Sequence, residues 1–274
     1  MQKLIIALCM CGAVTIGSPS VALADYKDGI AAYQRGDYAT ALNVWKPQAE
    51  QGNAKAQFLL ASMYLGGQGV PQNVTEAAKW LRLSAAQAFD SAQSLLGRLY
   101  ADGVGVSQNF TEAVKWYRLA AEQGNAGAQY SLGVAYKKGQ GVPQDIAEAV
   151  KWYRKAAEQN DVKAQSQVGT LLLVMYAAKG QDVPLPVEAI KWFRRAAENG
   201  DVGSQTILGG IYETGALVTK DYVQAYMWFN IAAGNGDVNG RKGRDILEKR
   251  MTATDISKAQ KLTKEWMKKH PQQK

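Results

Sequence analysis

Tryptophan returns at a fixed interval along this chain. Trp80, Trp116, Trp152, Trp192 and Trp228 are separated by 36, 36, 40 and 36 residues. Gln57, Gln93, Gln129, Gln165 and Gln205 follow a second ladder with steps of 36, 36, 36 and 40. The two ladders agree on five units and place one four-residue insertion between Gln165 and Trp192. A unit of this length is one supersecondary element that cannot bury its own apolar face, so successive units must stack on one another.

Each unit reads as two helices. In the third, Ala128, Leu132, Ala135 and Tyr136 recur at helical spacing, and Gly139-Gln140-Gly141-Val142-Pro143 then breaks the chain. Asp145 is expected to cap the second helix, with Glu148 completing a capping box; Asn73 with Glu76 and Asn109 with Glu112 repeat the pattern, and Asp221 with Gln224 varies it. Ala149, Trp152, Tyr153, Ala156 and Ala157 form an apolar stripe on that helix. Gly52, Gly124, Gly200 and Gly236 recur where a left-handed cap is expected. Small residues recur at Gly97, Gly133, Gly169 and Gly209 in the first helix and at Ala77, Ala113, Ala149, Ala189 and Ala225 in the second. Close backbone approach is expected there, with the indole filling the groove between pairs.

The pattern Ala-Gln-x-x-Leu-Gly-x-x-Tyr, Gly-x-Gly-Val-x-Gln-Asp/Asn and Glu-Ala-x-Lys-Trp-Tyr-x-x-Ala-Ala-Glu-x-Gly resembles the Sel-one-like repeat (SLR) family, a relative of the tetratricopeptide repeats. It recurs over residues 54–237. The resemblance implies an all-α, right-handed α-solenoid of about a dozen helices, with a tetratricopeptide-like hairpin at 25–53 and basic capping helices and tail at 238–274. It implies a protein-binding scaffold in which the first helices line a concave groove. By that resemblance Phe58, Ser62, Ser94, Arg98, Tyr130, Val134, Lys137 and Thr206 are candidate partner-binding residues. Phe58 and Tyr130 would serve as anchors, and Arg98 and Lys137 would read an acidic or carbonyl-rich segment. Penicillin-binding or β-lactamase activity attributed to cysteine-rich secreted relatives does not transfer, because this chain lacks their cysteines and any Ser-x-x-Lys motif.

Residues 1–24 read as a secretory signal: Lys3, an apolar run from Leu4 to Ile16, a break at Gly17-Ser18-Pro19-Ser20, and Ala22-Leu23-Ala24 before the expected cleavage. The expected location is therefore periplasmic or secreted, with no transmembrane segment in the mature chain. Cys9 and Cys11 both fall inside that segment, and Leu8 and Met10 before them do not suit lipoprotein processing. From Asp25 onward the chain has no cysteine, so packing alone must hold it together.

Departures from the repeat mark individuality. The insertion falls in 169–176, where a lengthened helix would serve either docking or local packing. The same unit replaces its Gly-x-Gly loop by 179–186, with Leu185 in the capping position and Pro186 suited to the first helical position. Phe89 stands where Asn125 stands one unit later, either as a hydrophobic staple or as an exposed anchor.

Apparent chemical signals have plainer readings. The Gly-x-Gly loops follow helices and lack a Gly-Lys-Ser/Thr ending, which argues against phosphate binding. Asn73-Val74-Thr75 and Asn109-Phe110-Thr111 are sequons in form, but capping explains them. In Lys115-Trp116-Tyr117-Arg118 and Lys151-Trp152-Tyr153-Arg154 the aromatics should face inward, with Lys115 pairing with Glu112 and Arg118 with Glu122. No catalytic residue, metal or cofactor is expected, and His270 is placed in a frayed tail.

The formal charge of +8 resolves by position. Without Lys3 there are 31 basic and 24 acidic residues; residues 241–274 hold 11 and 4 of these, leaving 20 of each in 25–240. A neutral body argues against nucleic acid. The basic end, with Ile256, Leu262 and Trp266 packed inward, is either a solvated cap or a contact for an anionic envelope polymer or surface. Three classes follow: a protein-binding scaffold, a binder of cell-wall or anionic carbohydrate polymer, and, remotely, a hydrolase.

Overall fold

The computed structural model describes residues 26–179 and 185–271. The expected leader and residues 180–184 lie outside them. Among the described residues the chain forms fourteen α-helices, rather than about a dozen, and no strand. They run α1 (Tyr26–Gln34), α2 (Tyr38–Glu50), α3 (Ala54–Gly66), α4 (Val74–Ala86), α5 (Asp90–Asp102), α6 (Phe110–Glu122), α7 (Ala126–Lys138), α8 (Ile146–Glu158), α9 (Val162–Lys179), α10 (Leu185–Glu198), α11 (Val202–Thr214), α12 (Tyr222–Gly234), α13 (Val238–Glu248) and α14 (Ala253–Lys269). From α1 to α12 each helix packs chiefly on the one before and the one after, the contact pattern of a solenoid.

The glutamine ladder is the rivet between units. Each of the five glutamines is buried, and its amide nitrogen donates to a carbonyl of the preceding second helix: Gln57 to Ala49, Gln93 to Ala85, Gln129 to Ala121, Gln165 to Ala157 and Gln205 to Ala197, at 3.1–3.2 Å. Each amide oxygen accepts from the end of its own unit's second helix, from Gln87, Gln123, Gln159, Asn199 and Asn235 in turn. One side chain thus ties three helices, and a polar group in the core is satisfied at both ends.

The glycine ladder has a different partner from the one expected. Its space is taken by the residue after each tryptophan. A Cβ added at Gly97, Gly133, Gly169 or Gly209 would lie 2.7, 2.7, 2.9 or 2.5 Å from the ring of Tyr117, Tyr153, Phe193 or Phe229. In the first repeat the pair is Ala61 with Leu81, a larger residue facing a smaller one at constant fill. The tryptophans sit at the seam between units, as expected: Trp116 packs against the cluster that holds Ala61, Leu81 and Leu96, and Trp152 belongs to the one that holds Ala113, Val114 and Ala120.

The second helices begin at Asn73, Asn109, Asp145 and Asp221, whose side chains accept from the backbone N–H three residues on. The capping box is only half made. The cap residue's own N–H donates to the carbonyl of Tyr64, Tyr100, Tyr136 or Tyr212 on the first helix, so Glu76, Glu112 and Glu148 are released to pair with Lys79, Lys115 and Lys151. Arg118 does not turn to Glu122; it donates to the Tyr136 hydroxyl at 2.8 Å in the next unit, and Arg194 does the same to Tyr212 at 2.6 Å. The second glycine of the Gly-x-Gly loop has an inter-unit role. At Gly105 and Gly141 φ is positive, and a Cβ would meet the carbonyl oxygens of Val74 and Phe110 at 2.3 and 2.2 Å.

The insertion lengthens a helix. Where α5, α7 and α11 stop at a left-handed glycine, Met175 occupies that place and α9 continues to 18 residues against their 13. Leu171 and Leu172 are buried, Leu173 and Met175 pack against the same core, and Val174 is 53% exposed. Helix α10 begins at Leu185, so Pro186 falls one position inside it.

Both ends are closed. Trp45 of α2 is 1% exposed and fits over Gly29. At the other end Trp228 meets Trp266 edge-on, with ring centres 5.8 Å apart. His270 is not part of a frayed tail. It caps α14, stacks on Trp266 at 4.3 Å and places Nδ1 2.9 Å from the Trp266 carbonyl oxygen. No helix among the described residues is long and apolar enough to cross a membrane.

Candidate partner-binding face

The first helices present side chains that the inter-unit packing leaves uncovered. Phe58 of α3, Ser94 and Arg98 of α5, and Ser131 and Gly127 of α7 line one depression of about 350 Å³, together with Ser91, Leu95 and Asn125. Its apolar wall is Phe58, whose ring is 5.3 Å from that of Phe89. Phe89 occupies the α5 N-cap without a side-chain cap bond, meets Phe58 of α3 and packs against the core cluster shared by the two units. Asn125 closes the other wall, accepting from the Ala128 N–H and donating to Asp90 at 2.7 Å. Arg98 is exposed, and its side chain makes no hydrogen bond or ion pair among the described residues.

Ser131 is shared with a second depression of similar volume, about 350 Å³, lined by Val134, Asp102, Lys138 and Tyr117. Burial raises the Tyr117 hydroxyl to about 12, with the nearby Asp102 charge adding to the effect. It therefore remains a neutral hydrogen-bonding group. The arrangement offers one aromatic wall, one unpaired guanidinium, hydroxyls and an acid–base pair of opposite charge.

The eight residues nominated from the sequence divide. Phe58, Ser94 and Arg98 meet in the first depression, and Val134 belongs to the second. Ser62 donates to the Phe58 carbonyl within its own helix at 3.0 Å. Tyr130 is half-buried with its ring 5.4 Å from Tyr153, and burial raises its hydroxyl above the usual tyrosine value. Lys137 donates to Gln167 at 2.8 Å, and Thr206 donates to Asp237, the α13 cap residue, at 2.7 Å. The sequence reading missed Leu95 and Ser131. They stand one position past the register chosen, on the same helical face, where a helical wheel would place them.

Geometry and connectivity define an all-α, tetratricopeptide-like repeat protein. The chain belongs to the Sel1 repeat family: the Sel1 repeat profile matches five times, at residues 54–89, 90–125, 126–161, 162–201 and 203–237. It is similar to a Sel1 repeat protein from Oxalobacter formigenes, 30% identical over 88% of this chain and 99% of that one, with a TM-score of 0.71. A protective antigen of uropathogenic Escherichia coli strains with an SLR fold is also 30% identical, over 89% of this chain and 68% of the other, with a TM-score of 0.36. A putative Sel1 repeat protein from Klebsiella pneumoniae is 21% identical over 74% and 97%, with a TM-score of 0.43. No curated protein matches the chain. Sel1 repeat proteins are generally protein-interaction scaffolds and generally not enzymes.

Proposed function

We propose that this chain is an exported scaffold that holds an extended segment of a protein partner along its first helices, with the depression around Phe58 and Arg98 as the reading site. The unpaired Arg98 guanidinium beside an aromatic wall is the observation that carries this reading, since arginine and aromatic side chains dominate protein recognition. Arg98 would select a carboxylate or a run of carbonyls, and Phe58 with Leu95 an apolar neighbour. Lys137 would join only by exchanging Gln167 for the ligand. Export is supported by the apolar run from Leu4 to Ile16 and the small residues Ala22 and Ala24.

The test is selection from a phage-displayed peptide library on the immobilised protein. Peptides with an acidic residue next to an apolar one should emerge. They should lose at least about tenfold in affinity for Arg98→Ala and for Phe58→Ala. Selected peptides that bind both variants as tightly as the parent would remove the face from consideration. Fractionation of cells expressing the full chain tests export: retention of the uncleaved chain in the cytosol would overturn that part.

A further inference from the structure

The C-terminal hairpin breaks the packing rule that every repeat obeys. Within each repeat the first and second helices pack closely on one another, as α3 does on α4 and α7 on α8. Helices α13 and α14 both pack on α12 and touch each other far less, sharing one core cluster through Leu247 and Ala259. Gly240 and Gly243 explain the seat of α13: a Cβ at either would collide with Ala232 or Phe229. Helix α14 is anchored separately, through Trp266 on Trp228.

The separation leaves a cleft of about 540 Å³ with α12 as its floor. Arg241, Arg244 and Glu248 recur at i, i+3 and i+7 along one wall, and Gln260, Lys264 and Met267 along the other. Glu248 carries the one negative charge on the lining, and Asp245 stands beside Arg244. Glu248 accepts from the Tyr226 hydroxyl at 2.6 Å, and Asp245 pairs with Arg244 at 2.7 Å. Among the described residues Arg241 and Lys264 have no side-chain hydrogen-bond or ion-pair partner. Three cations from two helices therefore face one space against a single carboxylate on its lining, and two of the three have no acidic partner among the described residues.

We propose that this cleft is a binding site for a phosphate group carried on a polymer or a lipid headgroup. Arg241 offers paired N–H donors, the lysine opposite adds a point charge, and Arg244, which gives its Nε and Nη2 hydrogens to Asp245, keeps Nη1 for a ligand. That set suits the doubly charged, three-oxygen face of a phosphomonoester or the repeated charges of a phosphate chain better than a single carboxylate, which one arginine satisfies. Asn230 on the floor and Gln260 on the wall supply amides for the group that carries the phosphate. Because residues 25–240 carry no net charge, the attraction for such a ligand is confined to this end of the molecule. The site is independent of the first-helix face and stands whether or not that face binds a protein.

The experiment measures binding at physiological salt to two phosphate probes, a fluorescent inorganic polyphosphate and phosphatidic acid vesicles, with fluorescent polyglutamate as the carboxylate control. The protein is compared with Arg241→Gln/Lys264→Gln, which removes the two cleft cations that have no acidic partner, and with Lys261→Gln/Lys268→Gln, which removes the same total charge from outside the cleft. All four positions are exposed, and helicity of both variants is checked by circular dichroism. At least one phosphate probe binds; the cleft variant loses about tenfold or more, and the control variant no more than about threefold. Binding of both probes assigns recognition to the phosphate itself, and binding of one alone identifies its source. Equal losses in the two variants, equal affinity for polyglutamate, or no binding of either phosphate probe would each overturn the proposal.

Discussion

Replacing Gln129 by methionine separates the latch between units from the volume it fills. Gln129 sits in the middle repeat, 4% exposed, with its amide nitrogen 3.1 Å from the Ala121 carbonyl oxygen and its amide oxygen 2.8 Å from the Gln159 amide nitrogen. Methionine keeps the unbranched shape and fills the same space, so the two hydrogen bonds are what disappears. The Ala121 carbonyl retains the Gly124 N–H, and Gln159 retains the Gly124 carbonyl, so neither partner is orphaned. The loss is then two net hydrogen bonds, about 2 kcal/mol in all. Urea unfolding followed by circular dichroism should show a lower midpoint with an unchanged slope. Gln159→Ala added to this background should cost less than it costs alone, because their shared bond is already gone. A Gln129→Met midpoint that puts the loss below roughly 0.5 kcal/mol, or full additivity with Gln159→Ala, would refute the latch.

Four further outcomes follow from the same geometry. Gln129→Glu places a carboxyl against a carbonyl oxygen, which raises its folded pKa above the unfolded value; the variant should be weakest at neutral pH and recover as pH falls through that raised value, with recovery complete by about pH 4, by urea midpoints across pH. Gly133→Ala puts a Cβ 2.7 Å from the Tyr153 ring and should cost about 1–3 kcal/mol, and adding Tyr153→Leu should recover part of it, as Ala61 and Leu81 coexist in the first repeat. Ala88 is held at φ 60°, so Ala88→Gly should stabilise by about 0.5–1 kcal/mol in a thermal melt, and a loss would count against the strain. Trp152→Ala should cost about 3–5 kcal/mol and Trp266→Ala less, since the last unit has one neighbour; equal losses would contradict that asymmetry.

What could be read from the sequence was whatever repeats. A ladder of tryptophans and one of glutamines reveal unit length, helix pairing and the site of the insertion, because stacking forces the same contacts to recur. The partner of each residue was less legible. Glutamine's position announced importance but not its two bonds, since one lies in the unit before and one at the far end of its own. Gly133 looked like a place for backbones to meet, yet it is the socket for Tyr153, 20 residues away. The capping box failed at Asp145 because a tertiary bond from its N–H to Tyr136 pre-empted the local one from Glu148. The face around Phe58 and Arg98 was found in part, one register position short at Leu95 and Ser131. The cleft between α13 and α14 was invisible, because it arises where two helices touch little, and sequence patterns report what packs.

The latches also say how the molecule would answer a pulling force. Every one closes within a single unit and its predecessor, so tension applied at the ends meets a row of similar fasteners rather than one shared core. Extension should proceed in steps, each freeing one repeat of 36 residues or, at the insertion, 40. Each step would release about 120–140 Å of extended chain. The protein would lengthen like a zip fastener, tooth by tooth, and could hold load with part of its length still coiled.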